Sequence, residues 1–561
     1  MISAKPLTTR REYRVLRRLS LKDDMNVVLH KLSEFADYSM WRRGTPGMVL
    51  GITDRGKTLF TAAKGFSDIA SGRPLSTDSL FQIGSVSKSF TCIALLQLAE
   101  QGVLDIHKPV REYLPWLSIR SRYSEITLHH LMTHSAGIVI GLDATPVGWT
   151  EAMDLNDTEA TCEPGTYFHY SNSGYKVLGL VLETVTGKAY GTIIREGILE
   201  GAGMRSSEPV ITNDIRGRHA VAHQPMHDDR PFRRGSALYP APWFESGTAD
   251  GTICAPVEDM LAYIRVLMNG GEGPWGRIIS ADSFRSMTTP YITPDDELHS
   301  GGYGYGLNIE SIDGHTYIGH QGGMVGYYTS MLMDTDSGIG AMVMVNGPGD
   351  PEEVARFAME AIRRSSDGKP LPDVPSKEDA YKTPKATEYR GTFAGPHGRL
   401  DAFERNGMLR ILTDGHEMAL EPREHDSFLV DGPGFDLFLL EFEKVDGKID
   451  RVHHGERTYV RNAPGCPGEA SPDEQLVRYE GHFRSHNPWL TNFRVVRRRD
   501  GLRYVHRHGA SEQLVPVGEN SFRIGSDERS PERITFDGII NGVATSATVA
   551  GGGRFGRTFT P

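Results

Sequence analysis

The sequence predicts an α/β (α+β) domain, an antiparallel sheet with a helical insertion, followed by two small antiparallel β-barrel domains. Three observations carry this. Strand-like pieces near residue 50 and again between residues 304 and 345 flank a mostly helical stretch, as when one sheet is closed by distant parts of a chain. From residue 387 onward the texture changes to short strands separated by turns. That texture starts twice, with Tyr389-Arg390-Gly391-Thr392-Phe393 and Tyr479-Glu480-Gly481-His482-Phe483 sharing a Tyr-x-Gly-x-Phe head, which reads as a duplication.

In chain order, residues 23 to 43 carry helical apolar spacing and end at Arg43-Gly44-Thr45-Pro46-Gly47. Met48 to Thr53 and Thr58 to Thr61 read as a hairpin. A glycine-bearing loop then opens a helix that includes Ser85 and runs to about Gln101, stopped by Gly102. A further helix and its exit lie in Ile126 to Gly137, and Val177 to Leu182 belong to another. Residues 256 to 269 form an amphipathic helix ended by Asn269-Gly270-Gly271. The strands Tyr305 to Ser311, Thr316 to His320, Gly326 to Met333 and Ile339 to Val345 have Asp313-Gly314, Gly322-Gly323 and Asp336-Ser337-Gly338 as separators. A last helix covers about Pro351 to Arg364. The expected division is a catalytic-type domain over 1–366, a linker over 367–386, a barrel over 387–462, a linker over 463–474 and a second barrel over 475–561. In the first barrel, strands are expected at Leu400 to Phe403, Met408 to Leu412, Phe428 to Val430, Phe435 to Leu439, Phe442 to Val445 and Thr458 to Val460.

Composition narrows the function classes. The chain has 561 residues, 38% hydrophobic and 24% charged, ample for several cores. Its formal net charge of −11 gives no pull toward nucleic acid. The basic groups Arg10 to Arg18 and Arg497 to Arg499 read as solvated faces. Met1 to Asp24 has no continuous apolar run ahead of a small-residue cleavage site, and no stretch reaches the length of a bilayer span, so a soluble, cytoplasmic protein is expected. Cys92, Cys162, Cys254 and Cys466 lie far apart without paired spacing, which predicts reduced thiols and neither a disulfide framework nor a zinc site. No cofactor motif or phosphate-cradling glycine loop is present.

Three stretches carry chemistry. Ser85 and Lys88, at i and i+3 near a helix start, can exchange a proton where free N–H groups favour a developing negative charge. Tyr170 and Asn172, one residue apart in an extended loop, can face one cleft. In Ile318 to Tyr327, His320 precedes glycines that let backbone approach a substrate. Each alone has an ordinary alternative: a solvated pair, a packing tyrosine beside a turn asparagine, a structural histidine.

Together and in this order, Ser85-Val86-Ser87-Lys88, Tyr170-Ser171-Asn172 and His320-Gln321-Gly322 resemble the Ser-x-x-Lys, Tyr-x-Asn and Lys/His-x-Gly motifs of the serine β-lactamase and penicillin-binding-protein-like hydrolases, in particular the class C-like group with family VIII esterases and S12 peptidases. Leu131 to Gly137 and Leu104 to Pro115 add to the likeness, which covers residues 25 to 365. The resemblance implies a β-lactamase/transpeptidase-like catalytic domain with Ser85 as acylated nucleophile. Lys88 and Tyr170 are implied as its acid–base groups, Tyr170 made more acidic by Lys88, without fixing which takes the first proton. Asn172, His320 and Gly322 are implied as substrate-binding, the N–H groups of Ser85 and Gly323 as the oxyanion hole, and no cofactor or metal. A histidine where true class C β-lactamases carry lysine argues against efficient β-lactam turnover. The two barrels resemble the three-domain S12 aminopeptidases with D-residue preference, in which an accessory domain closes over the cleft, making the glycine-rich loops of the last domain candidates for contact with the site. The expected activity is therefore a peptidase or amidase on small peptides. The alternatives are a carboxylesterase using the same residues and a non-catalytic sensor or scaffold. The expected partners are a small peptide, amide or ester substrate and a second copy of the chain, with no nucleic acid and no membrane.

Overall fold

The computed structural model describes residues 10–141, 147–294, 301–461 and 474–559, with side chains from residue 25 onward. Its first part is built on an eight-stranded sheet to which the chain contributes twice. Gly47–Asp54 and Thr58–Asp68 form the expected hairpin, and Gly47–Asp54 also pairs antiparallel with Ile339–Val345, so early and late strands close one sheet around the helical insertion. The N-terminal helix is longer than the periodicity indicates, running Arg10–Arg43. It packs with Pro351–Ser366 on one sheet face through Val28, Leu32, Phe357 and Ile362, while Val257–Met268 occupies the other and carries Ser87–Glu100 beyond it, Phe90 stacking on Tyr263. Helices on both faces explain why Gly47–Asp54 is buried at nearly every position rather than alternating.

One strand departs from the expected punctuation. His315–Met324 is continuous, so Gly322-Gly323 is not a turn; the chain reverses at Val325-Gly326 instead. The reason is contact. A Cβ on Gly322 would lie 2.0 Å from the carbonyl oxygen of Ile83, so glycine there lets the strand close on the segment that carries Ser85.

The C-terminal region forms two closed eight-stranded antiparallel barrels, Gly391–Gly395 through Arg457–Arg461 and Gly481–Arg484 through Gly553–Thr558. The repeated head has the same physical job in each. Phe393 and Phe483 are fully buried, and Tyr389 and Tyr479 nearly so. An arginine from the closing strand covers each phenylalanine: Arg461 stands 4.7 Å from the Phe393 ring centre and Arg557 stands 5.9 Å from that of Phe483. Gly391 and Gly481 leave room for those arginines. Phe435 to Leu439 is not a strand. It follows Asp431-Gly432-Pro433-Gly434, where the proline has no N–H to give a ladder. Gly434 has φ +80°, and the loop buries Phe435 and Phe438 against His454.

The barrels touch each other through Arg498 and Glu441, at 2.9 Å. One end of the second barrel meets the catalytic-type part: from its strands Arg484 pairs with Asp228 and Arg494 with Asp229, and from its loops Trp489 and Ala550 pack against the main core. Cys92, Cys162 and Cys254 are buried free thiols; Cys466, residues 463–473 of the second linker and residues 1–9 lie outside the described residues. Among the described residues no single helix is long and apolar enough to cross a membrane.

Candidate active site

Ser85 sits in a 3-10 turn, Gly84–Val86, that runs directly into the helix Ser87–Glu100. Gly84 has φ +56°, and a Cβ there would lie 2.6 Å from the Gly323 nitrogen, so two backbones meet beside Ser85 where side chains cannot fit. The strand His315–Met324 pairs with Asn308–Ile312 only as far as Gly319, leaving His320 to Met324 to run on past that neighbour, alongside the Ser85 turn. Thr329 Oγ1 fastens the junction by donating to the Ile83 carbonyl at 2.9 Å.

Lys88 is fully buried and its ammonium has three acceptors: Ser85 Oγ at 3.0 Å, Asn172 Oδ1 at 2.8 Å and the Asp250 carbonyl at 2.9 Å. It also lies 4.9 Å from the Tyr170 ring centre and 5.4 Å from that of Tyr175. Burial is the main reason its pKa is pushed down to about 7; the nearby Asp250 carboxylate opposes the shift and the charge on Lys176 adds to it. Tyr170, hydrogen-bonded to Ser85, is displaced the other way. Burial raises its pKa above the usual phenol range, the Ser85 hydrogen bond opposing and Asp250 adding, so in the free protein the phenol is less acidic than expected from its lysine neighbour.

Tyr170 and Asn172 reach this point because Ser171 between them is extended, and its hydroxyl caps the helix Asn172–Thr186 by accepting from Gly174 N at 3.0 Å. The His134 ring lies tilted against the Tyr170 ring with centres 4.1 Å apart and accepts the Ser171 N–H on Nδ1 at 2.9 Å, which fixes the loop. His320 is buried, its Nε2 at 3.0 Å from Tyr303 Oη, and its ring centre lies 6.2 Å from that of Tyr170. Thus Ser85, Lys88, Tyr170, Asn172, His320 and the Gly323 backbone come together, while Gly322 is engaged in strand packing against Ile83. Sequence reading missed Tyr303, Asp250, Lys176 and Glu532. Tyr303, Asp250 and Glu532 have no spacing signal because each arrives from an element remote in the chain, whereas Lys176 lies one turn beyond Asn172 on the same helix and its partners, Glu151 and Asp250, come from elsewhere.

Glu532 comes from the second barrel. One carboxylate oxygen, Oε1, accepts from the Ile140 N–H at 2.8 Å and lies 2.8 Å from His169 Nε2. The Ile140 carbonyl in turn accepts Asn172 N at 2.7 Å. A Cβ at Gly551 would stand 3.0 Å from Val139 and 3.3 Å from the Gly141 Cα, so a glycine-rich loop of the last barrel does meet the loops around Asn172.

The model of the family described as Beta-lactamase matches residues 32–362. The chain belongs to the Beta-lactamase family. This Beta-lactamase-family chain is 26% identical over 316 residues to "Penicillin-binding protein 4" of Amycolatopsis lactamdurans, covering 54% of this chain and 81% of that one. It is 28% identical over 320 residues to the "D-aminopeptidase" of Cereibacter sphaeroides, covering 54% of this chain and 57% of the relative's length. Among solved structures, the octameric penicillin-binding protein homologue from Pyrococcus abyssi aligns with a TM-score of 0.57 at 25% identity, over 77% of this chain and 100% of that one.

Proposed function

We propose that this chain is a serine hydrolase that forms an acyl-enzyme on Ser85 and releases amines from small peptides or amides. The observation that carries the reading is the buried Lys88 nitrogen held between Ser85 Oγ and Asn172 Oδ1. A lysine whose pKa lies near 7 has a large uncharged fraction at neutral pH and can accept a proton, whereas a phenol raised by burial is protonated there. Lys88 therefore takes the Ser85 proton as Oγ attacks the substrate carbonyl. The negative charge that develops on the carbonyl oxygen is received by the N–H groups of Ser85 and Gly323, a contribution of about 2.7–4 kcal/mol for a donor of this kind. Tyr170 passes a proton to the leaving amine as the C–N bond breaks, and Lys88 restores the phenol proton; water then hydrolyses the acyl-enzyme. Asn172 and His320 orient the substrate, with Gly322 shaping the strand beside it.

The peptidase or amidase reading draws on the likeness to a D-aminopeptidase; a carboxylesterase would use the same groups on an easier leaving group. Labelling with a fluorophosphonate probe followed by mass spectrometry tests the nucleophile, with a single adduct expected on Ser85. Steady-state rates on matched amide and ester substrates test the class, and turnover of esters alone would replace amidase by esterase. An intact protein that gives no Ser85 adduct would be a sensor or scaffold. The division into 1–366, 387–462 and 475–561 with linkers between is part of the proposal, as is homo-oligomeric assembly, which the octameric relative supports. A monomeric mass by light scattering at micromolar concentration would remove the latter.

A further inference from the structure

Beneath the site lies a second buried lysine that the reaction above does not use. Lys176 stands one helical turn after Asn172, with 4% of its side chain exposed. Its ammonium pairs with the carboxylate of Glu151, itself 2% exposed, from the helix Gly148–Asp154. The helices meet closely because Gly148 has no side chain; a Cβ there would lie 3.1 Å from Lys176 Cβ. The same ammonium stands 3.9 Å from the Asp250 carboxylate. Asp250 thus lies between two lysines, receiving Lys88 on its main-chain carbonyl and Lys176 on its side chain. A buried ion pair is a poor source of stability, since desolvating both charges offsets most of their attraction, so its position beside the reacting groups calls for an account.

We propose that Lys176 is a positioning residue for the reaction at Ser85: paired with Glu151, it fixes Asp250 as an acceptor for Lys88, and its positive charge opposes a second positive charge there. The inference rests on the reading of Lys88 as the proton acceptor. The groups facing Lys88 are Ser85 and Cys92 on its own turn and helix, Tyr170 and Asn172 from the preceding loop and helix start, Tyr175 and Lys176 from the next turn, and Asp250 from the 247–253 loop. Cys92, pushed up to about 12 chiefly by burial, stays a neutral thiol. Asp250 and Lys176 are therefore the two charged side chains that act directly on how readily Lys88 becomes an ammonium. Without Lys176, the Asp250 carboxylate acts unopposed and Lys88 protonates more readily.

The test compares Lys176→Met, the charge-balanced Lys176→Met/Glu151→Gln and Lys176→Arg in the full chain. The measurements are kcat/KM on p-nitrophenyl acetate and the rate of Ser85 labelling by a fluorophosphonate, both from pH 5.5 to pH 9. The double variant removes both charges of the pair together, so it keeps the test decisive if the single variant fails to fold. In the Met variants the acidic limb of both profiles is expected to move upward. The rate at pH 6.5 then falls about three- to tenfold, as a limb shift of roughly half to one pH unit produces, with much smaller loss at pH 9. Lys176→Arg is expected to keep the limb in place. A folded double variant whose profile is lowered equally at all pH values, or is unchanged, overturns the inference while leaving the Ser85 reading intact. Absence of Ser85 labelling in the unsubstituted protein overturns that reading first, and this inference with it.

Discussion

The Lys88 nitrogen lies 3.0 Å from Ser85 Oγ in a side-chain environment that leaves the lysine no exposed surface. Burial lowers its pKa to about 7, so the uncharged amine becomes the major form as pH rises through that value. The expected kcat/KM profile climbs with an acidic limb near pH 7. Lys88→Arg, which stays protonated at every accessible pH, is expected to cut kcat by about 10²–10⁴, measured against a chromogenic ester.

Removing the phenol oxygen alone separates chemistry from packing. Tyr170 is held by its ring against His134 at 4.1 Å, so Tyr170→Phe keeps the loop in place while losing the proton shuttle. Turnover is expected to fall about 10²–10⁴-fold with a KM within a few-fold of the unsubstituted protein, by steady-state kinetics. A KM change as large as the kcat change would move Tyr170 from proton transfer to substrate binding.

The backbone approach behind Ser85 has no slack. Gly322→Ala places a methyl 2.0 Å from the Ile83 carbonyl oxygen, a contact only backbone movement relieves. Stability is expected to drop by about 1–3 kcal/mol in urea unfolding, with loss of most Ser85 labelling because the turn bearing the nucleophile must shift.

Glu532→Ala should loosen the second barrel from the loops that carry Tyr170 and Asn172. It deletes the acceptor of Ile140 N–H and the partner of His169 Nε2. A loss of about 1–3 kcal/mol follows from leaving a part-buried donor unpaired. A fall in kcat of about tenfold is expected, because the Ile140 carbonyl also accepts Asn172 N. Glu532→Gln, which keeps an acceptor for Ile140, should recover most of it.

Acid should weaken the first barrel through His454. Burial is the chief cause holding its pKa at about 4, below the usual 6.5, so the unfolded chain binds the proton more readily between those values. Its stabilising contribution is complete above pH 6.5 and is lost as pH falls through about 4. Calorimetric Tm is expected to drop over that window, less steeply in His454→Gln.

Much of the fold was legible because its signals are local. The apolar run at Gly47–Asp54, the glycine stop after Glu100 and the two Tyr-x-Gly-x-Phe heads all reflect forces between chain neighbours or within one repeat. Gly322-Gly323 misled for the same reason: a glycine pair has one local meaning, a turn, and another that depends on a distant carbonyl. Phe435 to Leu439 looked like a strand by its apolar content, but the preceding Pro433 and Gly434 turned it into a loop that fills the barrel against His454.

For the candidate site, sequence alone determined which groups are available and their order: Ser85 and Lys88 on one helical turn, Tyr170 and Asn172 across one residue, His320 on a late strand. Only the tertiary structure decided their electrical state and their support. Low dielectric around Lys88 and Tyr170 moves their pKa values in opposite directions, and no spacing rule encodes burial. Asp250, Lys176 and Glu532 touch groups that the chain keeps far apart: positions 88 and 250 are separated by 162 in sequence, and 169 and 532 by 363. Charge and hydrogen bonding act through space, while sequence patterns report only along the chain.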